Sequence, residues 1–189
     1  MIRAARPDDL PELVDVEIAA GLPFRGIGMD TVADDDPGTV AELATFADDG
    51  RAWVFADAAD RPVAYLLVDV VDGDAHIEQV SVRPEHARRG IGRQLIEAAR
   101  AWAVARGLPA LSLTTYAEVP WNGPYYARLG FEVVPPERVT GGMRAIRATE
   151  AARGLDAWPR VVMRRPLGSV LKAGVVTWFD LGLWCAGMS

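Results

Sequence analysis

The sequence predicts one α/β domain of the α+β kind, with a central mixed, mostly antiparallel sheet of about seven strands flanked by helices. Three observations predict it. Apolar, β-branched runs at residues 51–57, 63–71 and 76–82 are separated only by the turns AADRP and VDGD, which makes an antiparallel meander. A long amphipathic helix then leads to a further strand at 110–115, and a helix between two strands implies a parallel crossover. Finally, 189 residues, half of them apolar, are enough for one core.

The chain opens with a short strand at residues 2–4. Pro7, Asp8 and Asp9 suit a helix start, because acids are favoured at the positive end of the helix dipole. Leu10, Leu13, Val14, Val16 and Ile18 carry that helix to about Ala20, where Gly21 and Pro23 stop it. The segment GLPFRGIGMDTVADDDPG, with four glycines, two prolines and three consecutive aspartates, reads as a long loop, and loops of that length are commonly functional. A second helix is predicted over residues 40–47. After the meander and the long helix, Gly107 and Pro109 act as stops before the strand at 110–115. Asn122 to Pro124 opens a short helix ending at Gly130. A strand at 131–134, a helix at 141–153 and a last strand at 160–164 complete the chain.

The chain is organised around VSVRPEHARRGIGRQLIEAARAWAVARG, residues 80–107. Val80 and Val82 read as strand, and Pro84 prevents a simple continuation of the ladder. Gly90 and Gly92 permit a tight turn, and Leu95, Ile96, Ala99, Trp102 and Ala103 give helical apolar spacing from about Gly92. A helix start exposes unpaired N–H groups, and Arg88, Arg89 and Arg93 add full positive charge beside them. That chemistry suits a phosphate. The stretch matches neither GxxxxGK followed by Ser or Thr, nor the GxGxxG spacing of dinucleotide folds.

Charge is divided unevenly. Residues 1–79 hold five arginines against eighteen carboxylates, whereas residues 80–189 hold fifteen basic residues against eight acids. Such an arrangement suits an anionic cofactor on one side and a cationic acceptor on the other. Nucleic-acid binding is disfavoured, since the basic residues gather at one turn and helix without interleaved aromatics. A single cysteine, Cys185, allows no intrachain disulfide, and no CxxC or His/Cys cluster suggests a metal. With an N-terminus that turns acidic at once and lacks an apolar core, a cytoplasmic location is expected.

Strand, basic glycine turn, long helix, strand, then a short helix bearing YYARLGF and a final strand resembles the GNAT superfamily of N-acetyltransferases over about residues 1–167. The family turn is Gln or Arg, any two residues, Gly, any residue, then Gly or Ala. Gly90 and Gly92 match it, while Ala87 stands at the Gln or Arg position. The resemblance implies acetyl-CoA as co-substrate, its pyrophosphate held by the amides of Arg88, Arg89, Gly90, Ile91, Gly92 and Arg93, and its pantetheine running beside Val80 and Val82 as an added strand would. The activity it implies is acetyl transfer to a primary amine of a small molecule or peptide by direct attack. A non-catalytic acyl-CoA sensor or partner-binding module is the alternative, and transfer of a longer acyl group such as succinyl a third reading.

Within the resemblance, Tyr126 stands four residues before Gly130, the position of the family tyrosine that protonates or hydrogen-bonds the sulfur; Tyr125 is its competitor. Glu78 and His76, two apart in a strand and so on one face, are the candidate bases, Glu78 first. A histidine works near neutral pH with little tuning, whereas a glutamate needs burial or a water relay. Asn122 resembles the family asparagine on the pantetheine arm, though it is only four residues before Tyr126. Trp121 and Phe24 are candidate walls of the acceptor site, and Glu17, Arg25 and Asp30 candidate readers of acceptor charge. The remaining segment, residues 168–189, is rich in Val, Leu, Trp and Phe, but Lys172 and Asp180 leave its apolar runs short for a membrane span. Packing on the domain or against a homodimer partner is expected for it.

Overall fold

The computed structural model describes residues 1–168, so nearly all of the apolar C-terminal segment lies outside the described residues. Seven strands form one sheet: β1 (Ile2–Ala4), β2 (Ala52–Ala56), β3 (Pro62–Val71), β4 (Asp74–Val82), β5 (Ala110–Tyr116), β6 (Glu132–Val133) and β7 (Arg160–Pro166). Their order is β1-β2-β3-β4-β5-β7-β6, and every neighbouring pair is antiparallel except β4 with β5. The predicted meander and crossover are both present. No helix among the described residues is long and apolar enough to cross a membrane.

Helices cover both faces. On one face α4 (Ile91–Ala105) buries Ile91, Leu95, Ile96, Ala99 and Ala103 against Leu66, Val68, Ile77, Leu111 and Leu113, joined by Tyr126 and Phe131 from around α5 (Gly123–Arg128). Leu95 and Ile96 are fully buried, and each contributes roughly 1.5–3 kcal/mol of apolar burial. On the other face α1 (Leu10–Gly21) and α3 (Val40–Asp48) pack Leu10, Leu13, Val16 and Leu43 onto Val54, Tyr65 and Leu67. The segment read as a long loop is more ordered than its glycines suggest. Leu22–Ile27 forms a 3-10 helix and Asp30–Ala33 a short helix, α2, closed around the buried Met29, which packs with Tyr116 and Val119. Tertiary burial of one side chain here outweighs weak local propensity.

One irregularity matters for function. In the β3–β4 ladder Leu67 pairs with Gln79 and Val68 with Ile77, so Glu78 has no partner and bulges out. The extra residue shifts the alternation. Ala75 and Ile77 face α4 before the bulge, and Val80 and Val82 face it after, three residues on from Ile77. His76, Gln79 and Ser81 take the opposite face.

Candidate functional site

β4 and β5 pair through only two positions, Ala75 with Leu111 and His76 with Ser112. Beyond them the strands part, and the β5-facing backbone of β4 from the bulge to Val82 has no ladder partner. An open strand edge of this kind accepts an extended chain through main-chain hydrogen bonds. Two polar atoms, one near the end of β5 and one just before α5 (Gly123–Arg128), are buried with no partner among the described residues: Thr115 Oγ1 and Asn122 Oδ1. A buried acceptor left unpaired costs about 1–3 kcal/mol, so these two oxygens suit a ligand that donates hydrogen bonds.

At the far end of β4 lies the turn into α4. Gly90 has φ 75°, the left-handed region, and nothing would obstruct a Cβ there, so its conformation rather than its space requires glycine. Arg88 takes φ 59° without that advantage. Such strain concentrates at binding turns. Gly92 differs from Gly90: a Cβ there would stand 3.2 Å from the Tyr125 hydroxyl, so space is what limits it. No side chain caps α4, and its first internal bond runs from Gln94 N–H to Gly90 O at 3.1 Å, leaving the amides of Ile91, Gly92 and Arg93 outward. By contrast, α3 is closed by Thr39 and Glu42 in a reciprocal capping box. Of these two helix starts, only that of α4 remains open to an anion, with Arg88, Arg89 and Arg93 exposed beside it.

α5 is brought hard against the end of β5. A Cβ on Gly123 would lie 2.5 Å from Ala117 O and 3.0 Å from Tyr116 O, so only glycine permits this approach. The helix so placed carries Tyr126 into the core, 7% exposed, with its ring edge-on to Tyr125 and Phe131 at 5.5 and 5.8 Å. Burial, with a smaller contribution from Tyr125, pushes its phenol above the ordinary tyrosine range, so it holds its proton. Its hydroxyl has no hydrogen-bond partner among the described residues. Tyr125 instead lies half-buried against Gly92, near the mouth of the α4 turn.

His76 and Glu78 do meet, although the bulge and not simple alternation arranges it: His76 Nε2 is 3.7 Å from Glu78 Oε2. His76 is 1% exposed, and desolvation lowers its pKa to about 4 against the pull of Glu150, Asp69 and Asp74. The ring is therefore neutral at physiological pH. Its Nδ1 lies 3.2 Å from Ser112 Oγ, and when that hydroxyl donates, the ring proton sits on Nε2 and faces Glu78. The Glu78 side chain keeps 47% of its surface open, at the rim of a recess crowded with protein atoms. Desolvation first, then the charges of Asp69 and Glu150, raise its pKa; Arg153 opposes them.

The recess on this face is closed by α6 (Gly141–Ala152), inserted between β6 and β7. Gly142 N–H donates to Asp72 at 2.8 Å, pinning the helix to the β3–β4 turn. Glu150 binds Arg160 at 2.6 Å, together with Thr114 and Arg147, and the Arg160 guanidinium lies over the Tyr116 ring at 4.4 Å. Arg153, just past α6, donates to Asp35 at 2.7 Å. Phe24 stands edge-on to Tyr116 and Trp121 at 5.8 and 5.5 Å, so both aromatics named from sequence belong to one cluster. Arg25 pairs with Asp34 at the surface and Asp30 is exposed, whereas Glu17 is drawn inward. Sequence reasoning missed Ser112, Tyr116, Glu150, Arg153 and Arg160. Only Ser112 left a trace, in the alternation of β5.

Residues 23–131 match the sequence profile described as the acetyltransferase (GNAT) family. Among solved structures the chain resembles a ribosomal-protein alanine N-acetyltransferase from Escherichia coli, at 19% identity and TM-score 0.62, covering 95% of this chain and 99% of that one. It also resembles the PaiA N-acetyltransferase from Thermoplasma acidophilum, in complex with coenzyme A, at 15% identity, TM-score 0.65, and 88% and 98% coverage. A third is a phosphinothricin acetyltransferase from Sinorhizobium meliloti in complex with AcCoA, at 18% identity, TM-score 0.63, and 89% and 88% coverage. At these identities the structural likenesses establish the fold.

Proposed function

The chain belongs to the acetyltransferase (GNAT) family, and on that premise we propose that it transfers an acetyl group to a primary amine of a small molecule or peptide by direct attack across the β4–β5 gap. The protein is an acyltransferase and its co-substrate is acetyl-CoA, which supplies a thioester carbonyl when bound. The single observation that carries the reading is the position of Glu78, bulged out of β4 where the strands part, with the open α4 turn at the other end of the same strand.

The α4 turn binds the pyrophosphate through the amides of residues 91–93 and the neighbouring arginines. Val80 and Val82, on the α4 face, line the pantetheine path, and the orphaned Thr115 Oγ1 and Asn122 Oδ1 find their partners there. The acceptor enters from the opposite face. Glu78 takes the proton from its ammonium, a task suited to a carboxylate whose pKa lies above the usual glutamate range. His76 is the positioning residue behind it: held neutral by burial, with Nδ1 3.2 Å from Ser112 Oγ, it stands 3.7 Å from the carboxylate and adds no charge beside it. Tyr126 holds the proton destined for the departing sulfur.

Thiol release from acetyl-CoA with a panel of amines tests this. Turnover is expected with at least one amine, with Tyr126→Phe lowering kcat about a hundredfold. If Tyr126→Phe and Glu78→Gln both leave turnover unchanged, these roles fail. Tight coenzyme A binding with no turnover across the panel supports a sensor instead.

A further inference from the structure

The recess opposite α4 has an unbalanced charge. Six carboxylates stand in or around it, and four have arginine partners: Asp69 with Arg51 at 2.7 Å, Asp74 with Arg164 at 2.6 Å, Asp35 with Arg153 at 2.7 Å, and Glu150 with Arg160 at 2.6 Å and with Arg147. The other two are held by neutral groups alone. Glu17 receives Tyr65 O–H at 2.5 Å and Gly38 N–H at 3.3 Å, both on Oε2, which leaves Oε1 with no hydrogen bond among the described residues. Glu78 has no arginine within ion-pair distance among the described residues, and the neutral His76 stands 3.7 Å from it. Both lie within the field of Arg153. A further polar group lies at the end of β5 on this face: the Tyr116 hydroxyl, on a residue 4% exposed, makes no hydrogen bond of good geometry among the described residues, and Arg160, its nearest cation, lies over the ring at 4.4 Å and opposes the desolvation that raises its pKa.

The spacing of the two carboxylates follows from strand register. Tyr65, which anchors Glu17, pairs with Ser81, while Glu78 bulges next to Gln79, the partner of Leu67. Two to three residues of strand, roughly 7–10 Å along the sheet, separate the Tyr65 register position from Glu78, so the two carboxylates stand at different heights on this face. We propose that the recess binds an acceptor with two ammonium groups, an aliphatic α,ω-diamine. One amine lies at Glu78 and is the reacting one; the other is anchored by Glu17 Oε1, with the Tyr116 hydroxyl supplying a further acceptor oxygen. The reacting role of Glu78 rests on the transferase reading; the anchoring by Glu17 is a statement about binding.

Calorimetric titration of the protein saturated with coenzyme A tests it, using 1,5-diaminopentane, pentylamine and 5-aminopentanoate. The diamine is expected to bind about ten- to thirtyfold more tightly than the monoamine, and the amino acid more weakly than either. Glu17→Gln keeps an oxygen for Tyr65 and Gly38 and should reduce the diamine to the affinity of the monoamine. Equal affinities in the unaltered protein, or a preference that survives Glu17→Gln, would overturn the proposal. The amine series in the unaltered protein decides the question even if the variant does not fold. Diamine preference without thiol release from any amine would sink the transfer reading and leave this site standing; release from monoamines without diamine preference would do the reverse.

Discussion

The two sides of the β4–β5 gap are made of different material. On the α4 side the groups open to a ligand are main-chain: free amides at a helix start, an unpaired strand edge, and glycines whose φ or lack of Cβ lets the chain take that path. On the recess side they are side chains drawn from α1, β4, β5, α6 and β7, each oriented by another residue. The first construction tolerates much side-chain variation and few changes of backbone. In the second, a change of one functional group alters the chemistry and leaves the fold intact. A scaffold built this way can keep its cofactor while its acceptor changes.

The largest effect expected to sharpen this contrast is on pH. The folded-state pKa of His76, about 4, lies below the ordinary histidine value of 6.5 because burial opposes its charge. The unfolded chain therefore takes up the proton first, and stability falls as pH drops from about 6.5 to about 4, by about 3 kcal/mol in all. Glu78 has its pKa raised and works in the opposite sense, so the measurement belongs in a Glu78→Gln background. Denaturant unfolding of that protein with and without His76→Asn should give a difference that changes across this window. A constant difference would mean that His76 is charged in the fold.

Next is Glu78→Gln itself, expected to lower kcat/KM about a hundredfold while the Kd for coenzyme A stays within about twofold. If cofactor affinity fell in parallel, the two sides of the gap would not be separable. On the main-chain side, Gly90→Val forces a β-branched residue into the left-handed region and should weaken coenzyme A about tenfold by titration. Arg88→Ala removes one exposed charge and should cost about threefold, less at higher salt. The reverse order would show that arginine side chains, and not the amides, hold the pyrophosphate.

Legibility in the sequence divides along the same line. The turn was readable because glycines, arginines and the apolar spacing after them are contiguous, and the meander because its turns are local. Tyr126 could be picked out by its distance from Gly130, but its neighbour Tyr125, identical in type, differs only in which way the helix turns it. Regular alternation puts His76 and Glu78 on one face of a strand. They meet at 3.7 Å within a strand that a bulge has put out of phase, and nothing in the residues 74–82 announces that bulge. Ordered turns around Met29 were hidden among glycines and aspartates, because their stability comes from Tyr116 and Val119 far along the chain.

From sequence alone came the strand and helix order, the parallel crossover, the anion-seeking turn and the division of charge. All of these depend on residue type at short separations, where periodicity and backbone preference act. Only the tertiary structure decided that Arg147 and Arg160 neutralise Glu150, that Arg153 neutralises Asp35, and that Glu17 and Glu78 keep neutral partners. Whether a carboxylate is paired depends on what the fold brings within about 4 Å of it, and that distance is set by packing between segments up to 118 residues apart.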